Sequence, residues 1–262
     1  MTETGQPVRV FFIHVMKTGG TSLLASFRRN FRADEIYPNP QLDMPADATR
    51  RVAFRHATIQ HLRTLSDERV RRLRIVSGHF PYVAVEVLGG GFETMTILRH
   101  PVERTISLLR QMQRPGSWLE GPQEAPVTAS SLEEVYEQSN VYEPLVHDHQ
   151  TKIFSMTLDD QPRGYLQVID VDRPRLELAK ENLAAVDVVG LTERYDDFLD
   201  LVTERFGWSI KRDARANVTP AGSTPVSEAL RRRIAADNAI DMELYEFATE
   251  LVAARRIRRL ST

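Results

Sequence analysis

No cysteine occurs among the 262 residues. Disulfides, thiolate metal sites and a cysteine nucleophile are therefore excluded, and a chain without thiols is compatible with a reducing compartment. No stretch approaches the ~20 uncharged apolar residues of a membrane-crossing helix. The opening Met-Thr-Glu-Thr-Gly-Gln-Pro has no basic segment running into an apolar one. These absences predict a cytoplasmic protein with no membrane partner. An excess of charge is missing too: 34 Lys and Arg against 36 Asp and Glu leave a net −2, which argues against a nucleic-acid partner. Basic clusters at Arg69, Arg71, Arg72 and Arg74, at Arg231 to Arg233, and at Arg255, Arg256, Arg258 and Arg259 lie among acids such as Asp67, Glu68, Glu228 and Glu243. They read as solvated helix faces. There is no internal repeat and no linker between cores, so residues 1–262 read as one domain with ample core.

What is present is an alternation of strands and helices. Five of the six residues from Val8 to Ile13 are apolar, which suits a strand covered on both faces. Further strands are predicted at Leu73 to Ser77, Phe92 to Leu98 and Val186 to Gly190. Helices are predicted at 101–113, 131–138, 142–156, 175–185, 193–205 and 226–258, the last with a break near Asp237. The alternation implies a three-layer α/β/α fold around a mostly parallel sheet. Residues 38–50 and Arg114 to Ala129, the latter containing Trp118, are rich in Pro, Gly and small polar residues and read as loops.

The first strand runs into Lys17-Thr18-Gly19-Gly20-Thr21-Ser22, after which Leu23, Phe27 and Phe31 recur at helical spacing. Gly19 to Ser22 therefore fall where backbone N–H groups at a helix N-terminus have no acceptor, a natural oxyanion cradle. Lys17, Thr18, Thr21 and Ser22 can each donate to the same tetrahedral anion. A nucleotide-kinase loop places its lysine after the glycines; here it precedes them, and no apolar strand ends in an acid suited to Mg²⁺. The second informative stretch, Thr96 to Ser107, couples a strand to a helix. Pro101 suits the first helical position, and Val102, Ile106 and Leu109 form a buried stripe. Arg99 is left at the carboxyl edge of the sheet, where ligands of open α/β sheets bind. Ser107, about two turns into that helix, adds a hydroxyl.

His14 and Lys17 to Ser22 resemble the 5′-phosphosulfate loop of sulfotransferases, in particular the carbohydrate and bacterial branch whose members begin H-x-P-K-T-G-G-T-S. Met16 stands where that signature has proline. Arg99, Pro101, Arg104 and Ser107 are similar to the 3′-phosphate motif R-x-P-x-x-R-x-x-S. Weaker echoes occur at His147 to Lys152, Val189 to Tyr195, Asn217 to Thr219 and Asp241 to Tyr245. The resemblance implies a P-loop NTPase-like fold with helical insertions and 3′-phosphoadenosine 5′-phosphosulfate (PAPS) as co-substrate, without a metal. The nucleotide would bind through Lys17, Thr18, Gly19, Gly20, Thr21, Ser22, Arg99 and Ser107, with Arg104 structural.

In-line sulfuryl transfer to a small-molecule or carbohydrate hydroxyl needs a donor to the bridging oxygen and a base. Lys17, at the loop entry, is the donor. Among the seven histidines, His79 stands out as base: it follows a strand in Ser-Gly-His-Phe-Pro-Tyr and resembles the G-H-F/I-x-F/Y segment of carbohydrate sulfotransferases. His14 reads as packed beside the loop, His100 as a turn residue, His56 and His61 as solvent-facing, and His147 and His149 as too poorly spaced for a metal pair. Glu103 reads as a helix-dipole partner. Residues 38–62, 80–91 and 112–150 are candidates for the acceptor wall, with Tyr82, Trp118 and Tyr142 offering aromatic surface. A P-loop-like nucleotide kinase and a non-catalytic nucleotide-binding module are the rival readings.

Overall fold

A computed structural model describes residues 8–43, 58–113, 131–160, 164–210 and 225–261. Arg114 to Ala129 with Trp118, residues 44–57 with His56, and Asn217 to Thr219 lie outside the described residues, as do the side chains of Thr21 and Ser22.

Five parallel strands, β1 (Val10–Ile13), β2 (Ile36–Tyr37), β3 (Ile75–Gly78), β4 (Glu93–Leu98) and β5 (Val188–Leu191), form one sheet in the order β2-β3-β1-β4-β5. The apolar run of the first strand is explained by burial on both faces. Phe11 and Ile13 point into one core with Val76, Leu98 and Ile106, whereas Val10 and Phe12 point into the other with Phe27, Met95 and Val202. Each such side chain, taken from water, stabilises the fold by roughly 1.5–3 kcal/mol. Helix α1 (Gly20–Asn30) and helix α5 (Tyr195–Phe206) cover one face. The other carries α2 (Pro101–Met112), α3 (His149–Ser155), α4 (Arg173–Ala185), α6 (Glu228–Asp237) and α7 (Ala239–Leu260). This is the three-layer α/β/α arrangement expected, and its sheet is wholly parallel.

One helix differs from expectation, and the break expected near Asp237 is found at Asn238. The segment 142–156 is not continuous: a short π-helical turn spans Tyr142–Val146, the chain breaks at His147, and α3 begins only after Asp148, which adopts a left-handed conformation (φ 39°). Pro144 has no N–H to donate, so a regular ladder is interrupted there. The break is then held from outside, because Asn238 accepts the Asp148 N–H (3.0 Å). Asn238 is also where the 226–258 helix divides into α6 and α7, its amide donating to the Ile234 carbonyl (2.8 Å). One buried asparagine thus joins both breaks. The sequence reading also missed β2, too short to show a pattern.

The basic clusters are not simply solvated faces. Arg69 pairs with Asp43 (2.7 Å) and donates to the carbonyls of Asp34 and Ile36. Arg255 donates to the carbonyls of Ala184 and Val186, both at 2.7 Å. Each arginine ties its helix to neighbouring elements, Arg69 to the chain around β2 and Arg255 to the carboxyl end of α4, and their stems contribute packing as well as charge.

Candidate active site

Parallel pairing delivers the carboxyl ends of β1, β3, β4 and β5 to one edge, so the residues that follow them meet there: His14 to Gly20, His79, Arg99 and Thr192. After β1 the chain turns sharply. Lys17 (φ 69°) and Gly19 (φ 94°) are both left-handed, and α1 starts at Gly20. The Thr18 hydroxyl donates to the Val15 carbonyl (2.8 Å), and the side chain is fully buried. It therefore shapes the turn and is not free to grip an anion, contrary to expectation; its backbone N–H is what Thr18 can offer. From β5's end, the Thr192 hydroxyl donates to the Thr18 carbonyl (2.7 Å) and the Tyr195 hydroxyl to the Gly19 carbonyl (3.3 Å). With these carbonyls engaged, the open polar groups of the turn are the N–H groups of α1's first turn.

Gly20 has no room for a side chain: a Cβ there would stand 2.4 Å from the His14 ring and 2.9 Å from Phe12. Alanine in place of glycine ordinarily favours a helix by up to about 1 kcal/mol. At Gly20 the opposite is expected, a loss of about 1–3 kcal/mol from forced displacement of the packed rings, read as a lower midpoint in chemical denaturation. A Gly20→Ala protein as stable as the parent would show that the loop and His14 are not locked together.

Lys17 is half-buried, and its ammonium donates to Gln111 Oε1 on α2. Ser107 lies one helical turn before Gln111, on the same face of α2. Arg99, just past β4, donates through Nη1 to the Lys17 carbonyl (3.2 Å) and is half-buried. Lys17, Ser107 and Arg99 are thereby gathered around one turn. Arg104 is elsewhere: it is wholly buried, donates to the carbonyls of Leu145 (2.9 Å) and Val146 (3.2 Å), and supports the π-helical turn. Burial lowers its guanidinium to about 10, opposed by Asp241, so it stays charged at neutral pH.

His79 follows β3. Its Nδ1 lies 2.7 Å from the His14 carbonyl, an acceptor, so Nδ1 carries the proton and Nε2 presents a lone pair. The ring is set between His14 (centroids 4.5 Å) and Tyr165 (5.0 Å). Burial pulls its pKa down to about 4, helped by the charge on Lys17 and opposed by the hydrogen bond to His14. A neutral imidazole at physiological pH can accept a proton. His14 is packed as expected, stacked on Phe12 (5.2 Å) and held neutral by burial, with His79 and Lys17 adding to the effect. His100 occupies the position before α2 without a side-chain cap, its backbone N–H donating to Glu193 (3.0 Å). Glu103 lies in α2's first turn and pairs with Arg231 (2.6 Å). His147 lies against Tyr142 (5.5 Å), while His149 is fully buried in α3.

Sequence reasoning missed Thr192, Tyr195, Gln111 and Gln150 at this edge. Thr192 and Tyr195 fell inside the Val189 to Tyr195 segment already noted, and that segment was the available signal. A separate groove of about 190 Å³ runs along β5, lined in part by Arg194, Phe198, Arg255 and Arg256. Its arginines are engaged, Arg194 and Arg256 with Asp197 (2.6 and 3.2 Å) and Arg255 with carbonyls. The carboxyl edge is the better oxyanion site.

A parallel sheet whose carboxyl edge carries a glycine turn, a lysine and an arginine offers groups suited to an anion there. No protein-family model matches the chain. Its relatives are sulfotransferases. Heparan-sulfate 6-O-sulfotransferase 2 of Homo sapiens is 30% identical over 184 residues, a match covering 63% of this chain and 30% of that protein, and the Mus musculus protein of the same name matches equally. The Gallus gallus counterpart is 29% identical over 182 residues, covering 63% of this chain and 45% of its own. The chain is thus a distant relative of sulfotransferases and spans less than half the length of those it matches.

Proposed function

We propose that this protein is a sulfotransferase that takes the sulfuryl group of PAPS and places it on a sugar hydroxyl. The observation that carries the reading is the convergence, at one sheet edge, of the Lys17 turn, Arg99 and a neutral His79 with its Nε2 lone pair unprotonated. The N–H groups of Gly20, Thr21 and Ser22 and the Lys17 ammonium would hold the 5′-phosphosulfate, and Arg99 with Ser107 the 3′-phosphate.

His79 Nε2 takes the proton of the acceptor hydroxyl as its oxygen forms a bond to sulfur. The bond from sulfur to the bridging oxygen breaks in line with it, leaving adenosine 3′,5′-bisphosphate. Negative charge grows on the bridging oxygen, and Lys17 meets it. Positioning and fixed charge account for the rate, with no covalent intermediate. The kinase reading is disfavoured by residue order: Lys17 precedes Gly19 and Gly20, whereas a nucleotide-kinase loop places its lysine after the glycines.

The matched relatives carry heparan sulfate in their names, so a heparan-type polysaccharide is the acceptor to try first. The test is transfer of labelled sulfur from PAPS to such a glycan, against transfer of label from the γ-phosphate of ATP. Label arriving only from ATP would overturn the reading.

A further inference from the structure

We infer that Gln150, held in place by Asp241, is a positioning residue that fixes Arg99 for the 3′-phosphate. The inference rests on the reading of Arg99 given above. Beyond Leu98 the strand ladder has ended, and Arg99 follows on bare backbone at the rim of the site. Both of its backbone polar groups are taken up by one amide: Gln150 Nε2 donates to the Arg99 carbonyl (2.8 Å), and the Arg99 N–H donates to Gln150 Oε1 (3.1 Å). Gln150 has no measurable exposure, so neither bond competes with water. The side chain acts as a false neighbouring strand, carrying the ladder one residue past its end and fixing the direction in which the guanidinium leaves.

Gln150 is itself held through its backbone. Asp241, on α7, accepts the N–H groups of Gln150 (3.0 Å) and Thr151 (2.7 Å) and the Thr151 hydroxyl (2.8 Å). It thereby supplies from across the fold the cap that α3 lacks locally, Asp148 giving no side-chain cap. Asp241 is in turn anchored, its N–H donating to Asp148 Oδ1 (2.8 Å). A rigid chain of hydrogen bonds therefore runs from the α6–α7 junction to Arg99. It meets the Lys17 turn only through the Arg99 contact to the Lys17 carbonyl and does not touch His79, so its effect should fall chiefly on recognition of the 3′-phosphate and not on the base.

The experiment is titration calorimetry on the whole protein with adenosine 3′,5′-bisphosphate and with adenosine 5′-monophosphate, which lacks the 3′-phosphate. The parent is expected to prefer the bisphosphate. In Gln150→Met, of similar length but without the amide, affinity for the bisphosphate should fall about tenfold while the monophosphate changes less than about twofold. Asp241→Asn, which keeps shape and one acceptor, should show the same selective loss in smaller degree and stands in if the first variant does not fold. Equal losses for both nucleotides, or none, would overturn the inference. A parent that does not distinguish the two nucleotides would instead overturn the assignment of Arg99, and the inference with it.

Discussion

Replacing Lys17 with alanine is expected to lower kcat about 10²–10³-fold, equivalent to about 2.7–4 kcal/mol of transition-state stabilisation, while the Kd for adenosine 3′,5′-bisphosphate rises less than tenfold or so. The split follows from where the charge sits. On the proposed reading, backbone N–H groups of α1 and Arg99 would also hold the donor's anionic groups, so ground-state binding would not depend on Lys17 alone. The charge appearing on the bridging oxygen as the bond breaks is different, because Lys17 is the cation that the turn itself presents. Its backbone is left-handed and its ammonium rests on Gln111, an uncharged partner from which it can be drawn. A variant with unchanged kcat would remove Lys17 from the chemistry. One that loses affinity and kcat alike would make it a binding residue only.

The second large effect is expected at His79. His79→Ala should reduce kcat by ~10²-fold or more at neutral pH, the usual contribution of a positioned base. The pH dependence supplies the sharper check. With its pKa at about 4, His79 is neutral from mildly acidic pH upward, so kcat/KM of the parent should be flat through neutrality and fall as pH drops through about 4. That limb should vanish in the alanine variant. Linkage runs in the same direction: a histidine whose folded pKa lies below the unfolded value near 6.5 binds more protons when unfolded. Its contribution to stability is therefore present above pH ~6.5 and is lost as pH falls toward 4. Buried, neutral His14 acts in the same sense. Rates on the acid limb should accordingly be taken immediately after a jump from neutral pH. A limb centred near 6.5, or one that persists without His79, would point to another base.

Four of the five strands were legible in the sequence because they are buried on both faces and so read as short apolar runs; β2, two residues long, was not. The turn after β1 was legible for a similar reason: its glycines, lysine and hydroxyls are adjacent in sequence, and chain geometry alone places them at a helix start. The misread hydroxyl of Thr18 shows the limit of that logic, since nothing local told it to turn inward to Val15. The break at Asp148 was hidden because its cause, Asn238, lies 90 residues away. Gln150 reaches Arg99 across 51 residues, and Thr192 reaches Thr18 across 174. The groups proposed to bear the chemistry lie in short local motifs of the sequence; the groups that hold them are supplied by tertiary packing and could not be read.

The most direct measurement of the central claim is a single incubation of purified protein with sulfur-labelled PAPS, γ-phosphate-labelled ATP and a desulfated heparan-type glycan, followed by separation of the polysaccharide. Sulfur label on the glycan, with stoichiometric adenosine 3′,5′-bisphosphate and no phosphorus label, is the expected result. Phosphorus label on the glycan without sulfur would contradict it.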